Sequence, residues 1–133
     1  MRSTLVLAAA LTSLSLPALA QVTDEMLAEA HVLYDAAEIS DEAHIALYCG
    51  AAFTLVSNAQ RDAGETASAD EFGGKAQTLL ATAEALLVAA EMGDADRTEL
   101  AEAFTYVANA GVLLGTEDAP YSNDECDAAA AGQ

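Results

Sequence analysis

Apolar residues recur every three or four positions along most of the chain after residue 23, and this spacing is typical of α-helices. The sequence predicts four of them, over residues 24–38, 41–60, 69–92 and 95–114. No strand-like alternation rich in Val, Ile and Thr accompanies them. Because the connections are short, we expect an all-α fold: a small antiparallel four-helix bundle.

Several local signals refine the predicted helix ends. Thr23 and Ser40 each precede two acidic residues, the pattern of an N-cap followed by charges that favour the helix dipole. Residues 68–71 read Ser-Ala-Asp-Glu and fit a capping box for helix 3. Gly93 is expected to follow helix 3 as its C′ residue. Gly50, inside helix 2, predicts a close approach by another segment, such as the C-terminal tail.

The first 20 residues predict a secretory signal peptide. Arg2 precedes an apolar run, and residues 18–20 read Ala-Leu-Ala, a cleavage pattern of small residues. An anchor helix is the alternative, but the run is shorter than the roughly 20 apolar residues that a membrane span needs. The prediction is therefore a periplasmic or secreted protein with no membrane association after cleavage at Ala20. It has a helical domain over 21–115 and an acidic C-terminal tail over 116–133.

The only two cysteines are Cys49 and Cys126. In an exported chain, two cysteines most simply form one disulfide, which would tie helix 2 to the tail. A redox pair is the alternative, although such cysteines usually lie close together as CxxC. The tail itself lacks helical periodicity and is expected to be irregular, with a frayed low-complexity end at 128–133.

The charge balance excludes some partners. After signal removal, 22 acidic residues face three bases (Arg61, Lys75 and Arg97), which gives a formal charge of −19. Nucleic acids and anionic membranes both select positive charge, so neither is an expected partner. Solubility in high or variable salt would explain the charge without any partner.

The sequence contains no complete catalytic or metal-binding motif that we recognise. Asp41 and His44 form half of the acidic-x-x-His pattern of di-iron bundles, but the second half is missing, and His31 has only Asp35 one turn farther along. Residues 94–98 begin like a calcium loop, yet Glu99 occupies its glycine position. The chain lacks G-x-S-x-G and P-loop motifs. We therefore expect no enzyme activity and assign no catalytic residue, cofactor or metal ligand.

The leading functional hypothesis is a non-catalytic binding or interaction module for an unknown protein or small-molecule partner. Ala supplies 28 of the 113 residues after the signal, so helices can sit close, and a groove between them is the expected site. In size, export, helicity and single disulfide the chain resembles the periplasmic acid-stress chaperones of the HdeA type, which implies a pH-responsive chaperone as an alternative. Another alternative is binding of calcium or another hard cation by carboxylates of the tail. These are Glu117, Asp118, Asp124, Glu125 and Asp127.

Overall fold

A computed structural model describes residues 22–113 and 119–132, and it confirms the all-α fold class. Five helices and no strands occur in these two ranges. They are α1 (Asp24–Ala36), α2 (Asp41–Asp62), α3 (Thr66–Ala89), α4 (Asp94–Leu113) and α5 (Asn123–Ala130). The predicted signal peptide, residues 1–20, lies outside the described residues. None of the five helices is long and apolar enough to cross a membrane.

Helix α2 is the centre of the fold. It packs against α3, α4 and α5, and every residue from Ala46 to Phe53 is buried. The sequence predicts burial on one face only, and the three neighbours explain why the whole middle of the helix is covered. A Cβ atom on Gly50 would lie 2.7 Å from Leu80 Cδ2, so the close approach predicted at this glycine is made by α3 and not by the tail.

Helices α2 and α3 run antiparallel. Near the turn that joins them, the Ser57 hydroxyl donates a hydrogen bond of 2.7 Å to the Ala69 carbonyl. Farther from the turn, Gly50 of α2 lies against Leu80 of α3. The contact therefore extends along both helices, as expected for a helical hairpin.

Helix α1 lies at the edge of the fold and packs on α4. It begins as predicted, because the Thr23 hydroxyl accepts a hydrogen bond of 3.1 Å from the Met26 N–H. Ala30 is the one fully buried residue of this helix. The principal contacts therefore run in the order α3, α2, α4, α1, and α1 covers only one neighbouring helix extensively.

Two predicted helix ends are wrong. The sequence predicts that Ser68 caps helix 3, whereas α3 begins at Thr66 and Ser68 lies inside its first turn. Gly93 is the predicted C′ residue, whereas Glu91 adopts the left-handed conformation with φ of 63°. The N–H of the next residue, Met92, donates to the Leu87 carbonyl at 3.1 Å, which closes a Schellman motif. Gly is the residue that adopts a left-handed backbone most easily, but the hydrogen bonds of this turn place Glu91, not Gly93, in that conformation.

The predicted disulfide is confirmed. Cys49 of α2 and Cys126 of α5 are bonded, with a Cα–Cα distance of 5.3 Å. Both cysteines are buried. The bond therefore attaches the C-terminal region to the middle of the central helix.

The tail is not irregular throughout, because residues 123–130 form α5. Ser122 begins this helix with a capping box: its hydroxyl accepts from the Glu125 N–H at 3.1 Å, and its own N–H donates to the Glu125 carboxylate at 2.7 Å. Lys75 of α3 adds an ion pair of 2.9 Å with Asp127. The apolar pattern missed α5 because the helix is short and only Cys126 is fully buried in it.

Candidate functional site

A groove of about 640 Å³ lies between α1 and α4. Met26, Ala30 and Leu33 of α1 line its floor together with Ala103 and Tyr106 of α4. Two of these five side chains are single methyl groups, which leave space where larger residues would fill the contact. The volume falls in the range of small-molecule sites, about 300–1,000 Å³.

Carboxylates form the rim of this groove. Glu29 lies on the α1 side, and Asp94, Glu99 and Glu102 lie on the α4 side. All four residues are exposed, and the lining contains no Lys, Arg or His. The groove therefore has an apolar floor and a negative rim, which favours positively charged ligands over negatively charged ones.

Tyr106 joins the floor to the rim. Its ring is buried, and its hydroxyl donates a hydrogen bond of 3.1 Å to the Glu102 carboxylate. Burial raises the pKa of Tyr106, and the bond to Glu102 raises it further. The phenol therefore stays neutral at physiological pH and fixes the position of the Glu102 side chain.

Arg97 holds the start of α4 in place. Its guanidinium donates to the Met92 carbonyl at 2.6 Å, to the Glu84 carboxylate at 3.2 Å and to the Asp94 carboxylate. Asp94 is therefore paired with a base. Among the described residues, Glu29, Glu99 and Glu102 form no such ion pair. These three residues supply the uncompensated charge of the rim.

A histidine–aromatic cluster occupies another part of the contact between α1 and α4. Tyr34 of α1 and Phe104 of α4 have ring centroids 4.6 Å apart, and His44 of α2 packs edge-on against both rings. His44 Nδ1 lies 2.8 Å from the Tyr121 hydroxyl, which makes a hydrogen bond. The Tyr48 ring also packs against Tyr121, in a tilted arrangement with ring centroids 5.6 Å apart. The cluster thus joins three helices to the segment that precedes α5.

His44 is shifted towards its neutral form. Loss of solvation lowers its pKa below the usual 6.5, whereas Asp41, Asp35 and a hydrogen bond to the Tyr34 backbone oppose the change. A neutral ring suits a site packed against two aromatic side chains. This residue is therefore a point at which acid can act on the fold.

The structure separates the two histidines considered as metal ligands. His31 is exposed on α1, and His44 is occupied in the aromatic cluster. Asp94, the first residue of the calcium-like segment, begins α4 and pairs with Arg97. Within 22–113 and 119–132, no three His, Cys, Asp or Glu side chains lie together as metal ligands would.

The tail carboxylates are divided between several roles. Glu125 completes the cap of α5, and Asp127 pairs with Lys75. Asp124 is exposed in the first turn of α5, and the remaining two acidic residues, Glu117 and Asp118, lie outside the described ranges. Calcium binding by this tail stays a prediction, which a higher melting temperature in millimolar calcium would support.

The Ala-rich sequence predicts a groove between helices but does not indicate which helices form it. Met26, Ala30 and Leu33 recur at helical spacing in the sequence of α1 and form an apolar stripe, so part of the signal is local. Nothing in the stripe shows that α4 is its neighbour or that Ala103 faces it.

Comparisons of the chain with protein-family models, with curated proteins and with solved structures found no match.

Proposed function

We propose that this protein is a non-catalytic binding module whose ligand site is the groove between α1 and α4. One observation carries the proposal: an apolar floor of sufficient volume lies open between two helices. A ligand that covered Met26, Leu33 and the two alanines would remove apolar surface from water, which is favourable.

The chemistry of the lining favours binding over catalysis. It contains no Cys, Ser, His or Lys, and without a His or Lys the lining offers no strong base to activate the Thr98 hydroxyl as a nucleophile. Tyr106 has a raised pKa, which moves it away from the neutral range where proton transfer is efficient. The groups that remain can orient a ligand and attract charge.

An exported location completes the proposal. The disulfide between Cys49 and Cys126 suits an oxidising compartment, where such bonds form and persist. The signal-like sequence of residues 1–20 points to the same compartment. The module would therefore meet its ligand in the periplasm or outside the cell.

A fragment screen followed by ¹⁵N–¹H correlation NMR tests this function. We expect the shift changes of the hits to concentrate on the groove-lining residues. Thr98→Trp places a bulky ring at an exposed position of the groove wall and should abolish those changes. Thr78→Trp, at an exposed position of α3 outside the lining, should leave them intact. Hits spread evenly over the surface, or unaffected by Thr98→Trp, would contradict the proposal.

The histidine–aromatic cluster supports a second candidate, the pH-responsive chaperone. Protonation of His44 would place a poorly solvated charge against Tyr34 and Phe104 and so weaken the contact between α1, α2 and α4. A chaperone of this kind should suppress aggregation of a model client at about pH 2–3, where carboxylates are protonated. Client aggregation that is unchanged by the protein at that pH would remove this candidate.

A further inference from the structure

We infer that the groove between α1 and α4 takes an organic cation, that is, an ammonium group carried on an apolar body. The inference rests on the proposed binding function and adds the ligand class. It follows from the position of the carboxylates relative to the apolar floor, on both sides of one cavity.

The floor of the groove indicates that the ligand has an apolar body. Met26, Leu33, Ala30 and Ala103 offer hydrocarbon and no hydrogen-bonding side-chain group. A bare hard cation such as calcium requires about six to eight oxygen ligands, which this floor does not supply. The bound part of the molecule must therefore be apolar enough to replace water against these side chains.

The rim of the groove indicates that the ligand carries a positive charge. Glu29 stands on one wall and Glu99 and Glu102 on the other, so a charge held between the helices is near carboxylates from both. A cation gains from each of them, whereas an anion is repelled by all three. Tyr106 also lines the groove, and aromatic rings are among the groups that attract ammonium ions.

Three smaller cavities in the described residues combine these features less well. The one between α2 and α3 includes Arg61 in its lining, which repels cations. The one beside the disulfide is lined without any charged side chain. The one near α5 has two carboxylates, Glu42 and Glu125, in about 330 Å³, and Glu125 is engaged in the helix cap. Of these four cavities, the one between α1 and α4 matches charge and apolar surface best.

Three probes with the same apolar body test the inference: 4-phenylbutylammonium, 4-phenylbutan-1-ol and 4-phenylbutanoate. Titration calorimetry in about 0.15 M salt limits the effect of the overall negative charge, because screening acts within about 8 Å. We expect the ammonium to bind most tightly, the alcohol more weakly and the carboxylate most weakly. Thr98→Trp should abolish ammonium binding.

Single-charge variants separate the groove from the general charge. Glu102→Gln keeps an oxygen that can accept from Tyr106, and it should weaken ammonium binding about five-fold, the value of one screened charge near 4 Å. Glu38→Gln removes the same charge from an exposed residue outside the groove lining and should change binding less than two-fold. Equal weakening by the two variants would overturn the inference, because the net charge alone would then explain binding.

The probe series also distinguishes the two proposals. If the alcohol binds in the groove as tightly as the ammonium, the cation inference is wrong and the binding function stands. If no probe perturbs the NMR signals of the groove, or if Thr98→Trp leaves ammonium binding unchanged, the organic-cation assignment fails. The fragment screen then decides the binding function on its own.

Discussion

Two regions of the contact between α1 and α4 differ in how completely they are filled. In one region, the rings of Tyr34 and Phe104 meet and His44 packs against both. In the other, Ala30 and Ala103 leave a groove of about 640 Å³. The same pair of helices thus forms an aromatic cluster and an open cavity, and the size of the side chains distinguishes them.

This difference separates stability from binding. Phe104 is fully buried and is the largest of the fully buried side chains, so the aromatic cluster contributes a large part of the packing between α1, α2 and α4. The groove residues Met26 and Leu33 are only partly buried and contribute less in the free protein. A ligand can therefore bind at the groove without repacking the region that holds the helices together.

The largest expected effect is at the centre of the aromatic cluster. Phe104→Ala should lower the free energy of unfolding by about 4–5 kcal/mol, because it removes a buried ring and leaves a cavity. Met26→Ala, at the groove, should cost less than about 1 kcal/mol, since Met26 is partly exposed. Urea denaturation measures both. Similar losses for the two variants would break the comparison.

Removing the disulfide should have the next largest effect. The bond closes a loop between positions 77 residues apart, and replacing both cysteines by alanine should lower stability by about 4 kcal/mol. It should also release Tyr121 from His44, because Cys126 anchors the segment that carries this tyrosine. Urea denaturation gives the loss, and NMR signals of His44 report the cluster. An unchanged His44 environment would show that the disulfide does not support it.

A smaller effect of opposite sign is expected in the turn that leads to the groove. Glu91 has a left-handed backbone, which a glycine adopts without steric cost. Glu91→Gly should raise the free energy of unfolding by about 1 kcal/mol. Glu65→Gly, at the N-cap of α3, is a matched control without a positive φ and should give no such gain. Thermal denaturation would show the difference, and equal changes would refute the explanation.

The aromatic cluster should also make the stability of the protein depend on pH, through His44. Its pKa is lowered below 6.5 in the folded protein, so below pH 6.5 the unfolded chain takes up a proton first. The stability that neutral His44 provides is present above pH 6.5 and is lost as the pH falls towards the folded pKa.

Urea denaturation at about pH 7.5 and about pH 5 measures this effect. His44→Gln removes the titrating group, so this variant should lose less stability between the two pH values than the unaltered protein. His31→Gln, at the exposed histidine, should keep the original pH dependence. If His44→Gln also keeps it, then His44 does not link acid to the fold.

Local chemistry predicted much of the fold. Thr23 and Ser40 cap α1 and α2 as expected. Each hydroxyl accepts a hydrogen bond from a backbone N–H only three residues farther along the chain, so the local sequence is enough to predict it. The capping-box pattern was applied to Ser68, where the helix had already begun, and not to Ser122, where the same pattern begins α5. A pattern of four residues cannot show by itself whether the chain before it is helical.

The binding groove was harder to predict from the sequence than the fold. The groove exists because Ala30 meets α4 near Ala103, and such a meeting of distant residues leaves no local signal. Glu29 and Glu102 likewise read as ordinary solvent-facing carboxylates among 22 acidic residues. The disulfide was predictable because only one pairing of two cysteines exists. Pairwise packing between helices, by contrast, requires the structure.

Intermolecular NOEs between 4-phenylbutylammonium and the methyl groups of the protein would show whether the groove between α1 and α4 is the binding site. We expect contacts from the phenyl protons to Met26, Leu33 and Ala103, which share the floor of the groove. We expect none to Ile45, which lines the cavity near α5. NOEs to Ile45, with none to Met26, Leu33 or Ala103, would contradict the assignment of the groove as the binding site.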